Sequence, residues 1–235
     1  HHWHIDTWRA YDTCNALTHH FEADPNAFFN AFLPLTNTIE SDYFQQLDAV
    51  KELRKVKGDL YLSKIPFSDF KVFEKVIQSL PTNSQLQISN SSAIRYAQLI
   101  DIDPSIEVYC NRGTSGIDGS TSTAIGAAVA NEKQTVFISG DIGFLYDSNA
   151  LWNSYIPKNF KIILINNGGG GIFRILPGHE ESPVFNTFFE TSHCHTAEHL
   201  AKMYGFEYSI ASDEKSLDTS LKMLYAQNEK PSILE

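Results

Sequence analysis

Short apolar runs alternate with amphipathic segments through the chain after residue 80. Six short runs, each followed by a polar or glycine-marked turn, are predicted to be strands: Gln85–Ile88, Glu107–Cys110, Thr135–Ile138, Lys161–Ile165, Glu207–Ile210 and Ser232–Leu234. Helical spacing of the apolar positions predicts helices over Ala93–Ile100, Gly119–Ala130, Asn149–Tyr155, Thr196–Tyr204 and Leu217–Gln227. Strands that alternate with helices predict an α/β fold, with helices on both faces of a mostly parallel sheet.

The chain before residue 80 has a less regular pattern. It predicts a strand over Trp3–Asp6, a helix that starts at Pro25, and between them a helix that carries Cys14, Leu17 and Phe21. These elements of residues 1–40 are too few to make a domain.

The next residues, 41–66, are predicted to be a helical connector. Its helix covers Tyr43–Lys57, and Gly58 stands where a C-cap glycine is expected. A further helix over residues 67–80, with Ser68 or Asp69 as its N-cap, opens the domain formed by residues 67–235.

Composition narrows the class of protein. The 235 residues are 42% hydrophobic and 20% charged, as in an ordinary globular protein, and the net charge of −10 argues against a nucleic-acid surface or an anionic membrane partner. The three cysteines have no paired spacing, and the sequence shows no signal peptide, which predicts a cytoplasmic protein. The sequence also has no apolar run of roughly 20 residues, which predicts that the protein has no membrane span. The chain opens on His1-His2 without Met, which suggests a piece of a longer polypeptide; a tag remnant is the alternative to native sequence there.

Polar residues follow two strands that are predicted to be parallel neighbours. Gly140-Asp141 follows the first strand, and Asn166-Asn167 with the run Gly168–Gly171 follows the second. In an open parallel sheet, ligands bind at the carboxyl ends of the strands. An acid and two amides at that edge suit a divalent cation that carries a diphosphate, because Mg²⁺ prefers oxygen ligands shared with phosphates.

The spacing of these motifs resembles the thiamine-diphosphate motif of the decarboxylase and acetolactate synthase superfamily. The segments SNSSAIR, NRGTSGIDGSTSTAIG, GDIGFLYDSNAL and NNGGGGIFRILP resemble one branch of it, the synthases of menaquinone biosynthesis, and Ile142 replaces the glycine that is usual elsewhere. The resemblance implies thiamine diphosphate and Mg²⁺, or Mn²⁺, as cofactors, with the metal held by Asp141, Asn167 and the carbonyl of Gly169. It also implies a reaction in which 2-oxoglutarate is decarboxylated and the resulting succinyl unit is added to isochorismate.

The resemblance assigns further roles. It implies that residues 67–235 form the C-terminal diphosphate-binding domain and residues 1–40 the tail of a central domain. Substrates would be bound by Ser91, Arg95 and Arg112, and the cofactor by Ser115, Gly116, Ile117, Gly140, Ile172, Phe173 and Leu176. From the residues alone, Ser115–Ile117 open a helix and suit an anion, or form a plain turn. Arg95 could equally be a surface residue, and Ile172, Phe173 and Leu176 could be core residues.

What the chain lacks also bears on function. The glutamate that activates the cofactor in this superfamily has no candidate here and is expected in a missing N-terminal domain, at a site shared between subunits of a homodimer or homotetramer. We therefore expect this chain alone to be inactive. Three other interpretations remain open: another thiamine-diphosphate decarboxylase or acetolactate synthase, a non-enzymatic phosphate-binding module, and a zinc site at His193, His195 and His199 beside Cys194.

Overall fold

The computed structural model describes residues 1–226 and 229–235. It divides into two compact units, His1–Asp59 and Leu60–Glu235, and each is described by itself.

The first unit begins with two parallel strands, β1 (His2–Ile5) and β2 (Leu17–Phe21). The helix predicted to carry Cys14, Leu17 and Phe21 is therefore wrong. The Asp12 carboxylate accepts hydrogen bonds from the amides of Ala16 and Leu17 and so closes a turn. The residues after this turn form the strand β2. The helix α1 (Pro25–Phe32) begins at the predicted proline, and Asp24 caps it.

The helix α2 (Tyr43–Leu62) is longer than predicted. The prediction that Gly58 ends it is wrong, because Gly58 lies inside the helix. A Cβ at Gly58 would meet no atom within 4 Å, so nothing in the surroundings requires a glycine there. Four apolar residues of α2 stand three residues apart along one side of the helix. They are exposed in the structure: Phe44, Leu47, Val50 and Leu53.

The second unit is an α/β domain. Its helices are α3 (Asp69–Ser79), α4 (Ser92–Ala97), α5 (Ser120–Val129), α6 (Asp141–Tyr146), α7 (Ile172–Ile175), α8 (Glu198–Tyr204) and α9 (Glu214–Ala226). Its strands are β3 (Gln85–Ile88), β4 (Glu107–Cys110), β5 (Thr135–Gly140), β6 (Phe160–Ile165), β7 (Glu207–Ser209) and β8 (Ser232–Leu234). The strands form one six-stranded sheet in the order β4-β3-β5-β6-β8-β7, and each pair is parallel. The predicted fold class is confirmed.

Alternate residues of the central strands point into two cores, one on each face of the sheet. Val136, Ile138 and Ile163 pack with the apolar faces of α3, α4 and α9. Phe137 and Ile162 pack with those of α5, α6 and α8. This alternation is the period of two expected for strands that are buried on both faces.

Several element boundaries differ from the predictions. The α-helix predicted over Asn149–Tyr155 is wrong: the helix that follows β5 is α6, which starts at Asp141 and ends at Tyr146, and a 3₁₀ turn over Ser148–Trp152 comes after it. Residues 177–195, a long segment that lies between predicted elements, contain a π-helical turn over Phe185–Phe189. The last predicted helix starts earlier, at Glu214, and is described as far as Ala226; Gln227 lies outside the described residues.

No helix in the described ranges is both long enough and apolar enough to cross a membrane.

Candidate cofactor and metal site

A cleft opens at the carboxyl ends of β3, β5 and β6. The parallel register aligns these ends, because Ile88 pairs with Ile138 and Gly140 pairs with Ile165. The residues that follow the three strands therefore meet at one edge of the sheet. The cleft is lined by Asp69 and Phe73 of α3, by residues 89–93 with Tyr96, by Ile117, Gly140–Gly143 and Ile165, and by Asn167, Gly169–Phe173 and Phe189.

Asp141 is the acidic group at the base of this cleft. It is 4% exposed. Its Oδ1 accepts a hydrogen bond from the Ile142 amide at 2.7 Å, and its Oδ2 accepts one from the Gly169 amide at 2.9 Å. Burial raises the pKa of the Asp141 carboxyl, while the two backbone amides and nearby His193 act in the opposite direction. The bond to Gly169 joins the two predicted motif segments directly.

The orientation of the Asn167 side chain is set by an acid on another element. Its Nδ2 donates to Oδ2 of Asp69, at the start of α3, at 2.7 Å. Because a carboxylate accepts but does not donate, the NH₂ group of Asn167 must face Asp69. The amide oxygen of Asn167 is thereby left for a different partner.

Gly169 has a backbone conformation that L side chains rarely adopt. Its φ is +155°, and a Cβ there would lie 2.8 Å from the carbonyl oxygen of Glu190. Its own carbonyl accepts a hydrogen bond from the Gly171 amide at 3.0 Å. The glycine run can therefore approach both Asp141 and the segment around Glu190 because it has no side chains.

The turn after β3 organises the glycine-rich turn after β4. Asn90 is 2% exposed, and its Nδ2 donates to the carbonyls of Asn111 and Gly116 at 2.8 and 2.6 Å. Its Oδ1 accepts a hydrogen bond from the Arg112 guanidinium at 2.9 Å. The next residue, Ser91, has a φ of +69°, which is uncommon for a serine and is typical of functional turns.

The structure brings together some of the predicted site residues and separates others. Those that line the cleft are Ser91, Ile117, Gly140, Asp141, Asn167, Gly169, Ile172 and Phe173. Ser115 and Gly116 line a separate depression with Asn111 and Asp118, and Leu176 lines a third with His179 and Phe185. Arg95 on α4 and Arg112 are exposed and are not among the residues that line the cleft.

Three residues near the site were not predicted. Asp69 looks in the sequence like a helix cap, and Asn90 belongs to the quoted SNSSAIR segment but was not assigned a role. His193 was considered only as a zinc ligand; its Nε2 lies 3.1 Å from Oδ2 of Asp141. Within residues 1–226 and 229–235, no group of three or more His, Cys, Asp or Glu side chains is arranged to hold a metal, so the zinc interpretation has no site there.

An open parallel sheet with a buried carboxylate, an oriented amide and a glycine run at its carboxyl edge is typical of α/β domains that bind phosphate-containing ligands. Residues 91–235 match the family model "Thiamine pyrophosphate enzyme, C-terminal TPP binding domain". The chain belongs to this family of thiamine pyrophosphate enzymes.

Two relatives are similar over nearly the whole chain. The 2-succinyl-5-enolpyruvyl-6-hydroxy-3-cyclohexene-1-carboxylate synthase of Flavobacterium johnsoniae is 73% identical over 235 residues, which is 100% of this chain and 42% of that protein. The protein of the same name from Flavobacterium psychrophilum is 64% identical over 233 residues, or 99% of this chain and 42% of that protein. The chain thus spans 42% of the length of these relatives.

A solved structure shares the fold. It is the Rhodococcus jostii RHA1 thiamine diphosphate-dependent 4-hydroxybenzoylformate decarboxylase, with a TM-score of 0.54 and 21% sequence identity. The match covers 72% of this chain and 32% of that one. At this identity the similarity shows the fold alone.

Proposed function

We propose that this chain supplies the diphosphate- and metal-binding part of a 2-succinyl-5-enolpyruvyl-6-hydroxy-3-cyclohexene-1-carboxylate synthase, an enzyme of menaquinone biosynthesis. The names of the Flavobacterium relatives support this assignment. The observation that carries it furthest is the buried Asp141 carboxylate, bonded to the Gly169 amide at the edge of the sheet.

The residues of the cleft fit a divalent cation. A carboxylate at 4% exposure is costly when charged, and a cation beside it offsets that cost. Asp141, the side-chain oxygen of Asn167 and the carbonyl of Gly169 are hard oxygen donors, which Mg²⁺ prefers and Mn²⁺ also accepts. In the proposal these three groups hold the metal, and the metal holds the diphosphate.

The substrates in the proposed reaction are 2-oxoglutarate and isochorismate. When bound, thiamine diphosphate stabilises the carbanion that decarboxylation of a 2-oxo acid would otherwise leave. Carbon dioxide leaves 2-oxoglutarate, and the remaining succinyl unit is added to isochorismate. Both substrates are anionic, so the protein must also provide cations.

The chain's own part in that reaction is orientation and charge neutralisation. Arginine binds carboxylates through a planar, two-pronged set of donors. The Arg112 guanidinium is anchored at one nitrogen by Asn90 and is otherwise exposed, which suits it to a substrate carboxylate. Arg95 and Ser91 are proposed as further substrate-binding residues. Ile172 and Phe173 give the cleft an apolar wall for the cofactor rings.

The proposal includes parts outside this chain. An activating glutamate from another domain and a homodimer or homotetramer with shared sites follow from the sequence resemblance. The cytoplasmic location is proposed from the three cysteines without paired spacing. Light scattering on the protein expressed at the full length of its relatives tests the dimer or tetramer.

The test of the function uses the protein at that full length, with thiamine diphosphate, Mg²⁺, 2-oxoglutarate and isochorismate, and follows the loss of isochorismate. We expect isochorismate loss that requires 2-oxoglutarate and that disappears in Asp141→Ala. Asp103→Ala is the matched control, because Asp103 is an exposed carboxylate on the loop before β4 and is not among the residues that line the cleft.

Other outcomes would point elsewhere. Release of carbon dioxide without consumption of isochorismate would replace the synthase with a simple 2-oxo-acid decarboxylase. Isochorismate loss at the wild-type rate in Asp141→Ala would refute the metal assignment. If ATP displaces thiamine diphosphate from the protein, the non-enzymatic nucleotide-binding interpretation would gain the support it now lacks.

A further inference from the structure

A buried histidine outside the motifs faces the proposed metal-binding carboxylate. The side chain of His193 is 7% exposed, and its Nε2 lies 3.1 Å from Oδ2 of Asp141. That nitrogen is buried and makes no hydrogen bond of regular geometry within the described part of the chain. A nitrogen in this position is costly to bury unless it has a partner in the working site.

The backbone holds His193 against the glycine run. The His193 amide donates to the carbonyl of Gly168 at 3.0 Å, and a Cβ at Gly168 would lie 3.2 Å from the His193 carbonyl oxygen. The neighbouring Gly170 amide donates to the carbonyl of Glu190 at 2.6 Å. The imidazole is therefore positioned by the same backbone that presents Gly169 to Asp141.

A second backbone contact fixes where the imidazole carries its proton. The His195 amide donates to Nδ1 of His193 at 3.1 Å. A backbone amide can only donate, so Nδ1 is the acceptor, and a neutral imidazole must then carry its proton on Nε2. Nε2, the nitrogen that then carries the proton, is the ring atom that lies 3.1 Å from Oδ2 of Asp141.

We propose that His193 is a positioning residue for the metal site. In the working site its Nε2–H and the Gly169 amide together hold Oδ2 of Asp141, so that the carboxylate keeps one orientation toward the cation. This inference rests on the proposed metal role of Asp141 and is independent of which substrates the enzyme uses. Outer-shell groups of this kind typically change metal affinity by about 10–100-fold when they are removed.

Two substitutions of His193 test the roles of its two ring nitrogens separately. His193→Asn keeps an oxygen near the Nδ1 position, which can accept the His195 amide, but offers no donor at the Nε2 position. His193→Gln places an N–H near the Nε2 position but no acceptor near Nδ1. His199→Ala is the matched control, because it removes an exposed histidine ring on α8, whereas the ring of His195 stacks on that of His193.

The measurement is the Kd for Mn²⁺ at saturating thiamine diphosphate, from the electron paramagnetic resonance signal of free Mn²⁺, in the protein at the full length of its relatives. We expect His193→Asn to raise the Kd about 10–100-fold. His193→Gln should restore most of the affinity, and His199→Ala should leave it unchanged. Thermal unfolding without metal should be similar for the Asn variant and the wild type.

Two further results would overturn the inference. Wild-type affinity in His193→Asn, or a loss in His193→Gln that matches a loss of thermal stability, would make His193 a packing residue. The Asp141→Asn variant separates this failure from that of the proposed function. If Asp141→Asn binds Mn²⁺ as the wild type does, the metal role of Asp141 is wrong; if it loses binding while His193→Asn does not, only the role of His193 fails.

Discussion

Replacing Gly169 by alanine tests the geometry on which the site depends. The substitution adds one methyl group where φ is +155° and where a Cβ would lie 2.8 Å from the Glu190 carbonyl oxygen and 3.2 Å from the Glu190 Cγ. The Glu190 carbonyl cannot simply withdraw, because it accepts the Gly170 amide at 2.6 Å. Backbone strain and steric overlap therefore act at the same residue.

Backbone strain and steric overlap together determine how much the free energy of unfolding should fall. A non-glycine residue in a sparsely populated backbone region costs about 1–3 kcal/mol. A methyl group forced into filled space costs about 1–3 kcal/mol more, so the sum is about 2–6 kcal/mol. At about 4 kcal/mol, the melting temperature of a domain of this size should fall by roughly 8–16 °C. Affinity for Mn²⁺ should fall too, because the Gly169 amide would no longer hold Asp141 in place.

The assay is calorimetric unfolding without ligands, followed by Mn²⁺ binding, on the protein at the full length of its relatives. Gly126→Ala is the matched control, because Gly126 lies inside the helix α5 and a Cβ there would meet no atom within 4 Å. The free energy of unfolding of Gly126→Ala should be about 0.5–1 kcal/mol higher than that of the wild type. If Gly169→Ala unfolds at the temperature of Gly126→Ala and binds Mn²⁺ normally, the close approach described here does not constrain the site.

Three further predictions concern neighbouring groups. Asn90→Leu should destabilise the protein to urea by about 1–3 kcal/mol for each carbonyl left without its partner, and should raise KM for anionic substrate because Arg112 loses its anchor. Asp69→Leu should weaken Mn²⁺ binding by freeing the Asn167 amide to rotate, while Asp69→Asn, which keeps an acceptor, should retain most of it. Burial lowers the pKa of Lys161 to about 8 from 10.5, so the unfolded chain binds the extra proton between these values and stability should rise with pH across this window. A gain of about 2 kcal/mol is expected between pH 7.5 and 10, and it should be absent from Lys161→Met when the unfolding free energies at these two pH values are compared.

The sheet could be predicted from the sequence because its strands are short apolar runs between turns. Glu107–Cys110 and Ser232–Leu234 were predicted to the residue. Leu17–Phe21 was predicted as part of a helix, since Leu17 and Phe21 also stand at helical spacing. Its pairing with β1 and the turn closed by Asp12 decide the matter, and neither can be deduced from local spacing.

The meeting of Asp141, Asn167 and Gly169 at one edge of the sheet could also be predicted, because parallel strands place their carboxyl ends there. Asp141, Asn167 and Gly169 do line one cleft. The residues that orient them could not be predicted, because Asp69 and His193 come from segments that local patterns do not bring to this edge. Leu176 was assigned to the cofactor from a motif, but it follows the short helix α7 in an extended conformation and lines a different depression.

The arrangement around Asp141 leaves a buried acidic group whose charge a bound cation would offset. Its two oxygens accept backbone amides from Ile142 and Gly169, and those hydrogen bonds lower the cost of a buried charge without removing it, since burial still raises the pKa. Asn167 and the Gly169 carbonyl add oxygen atoms but no positive charge. Several hydrogen bonds thus orient the Asp141 carboxylate, but they do not neutralise its negative charge. A divalent cation would neutralise the charge of the carboxylate. Its remaining positive charge would be neutralised by a diphosphate.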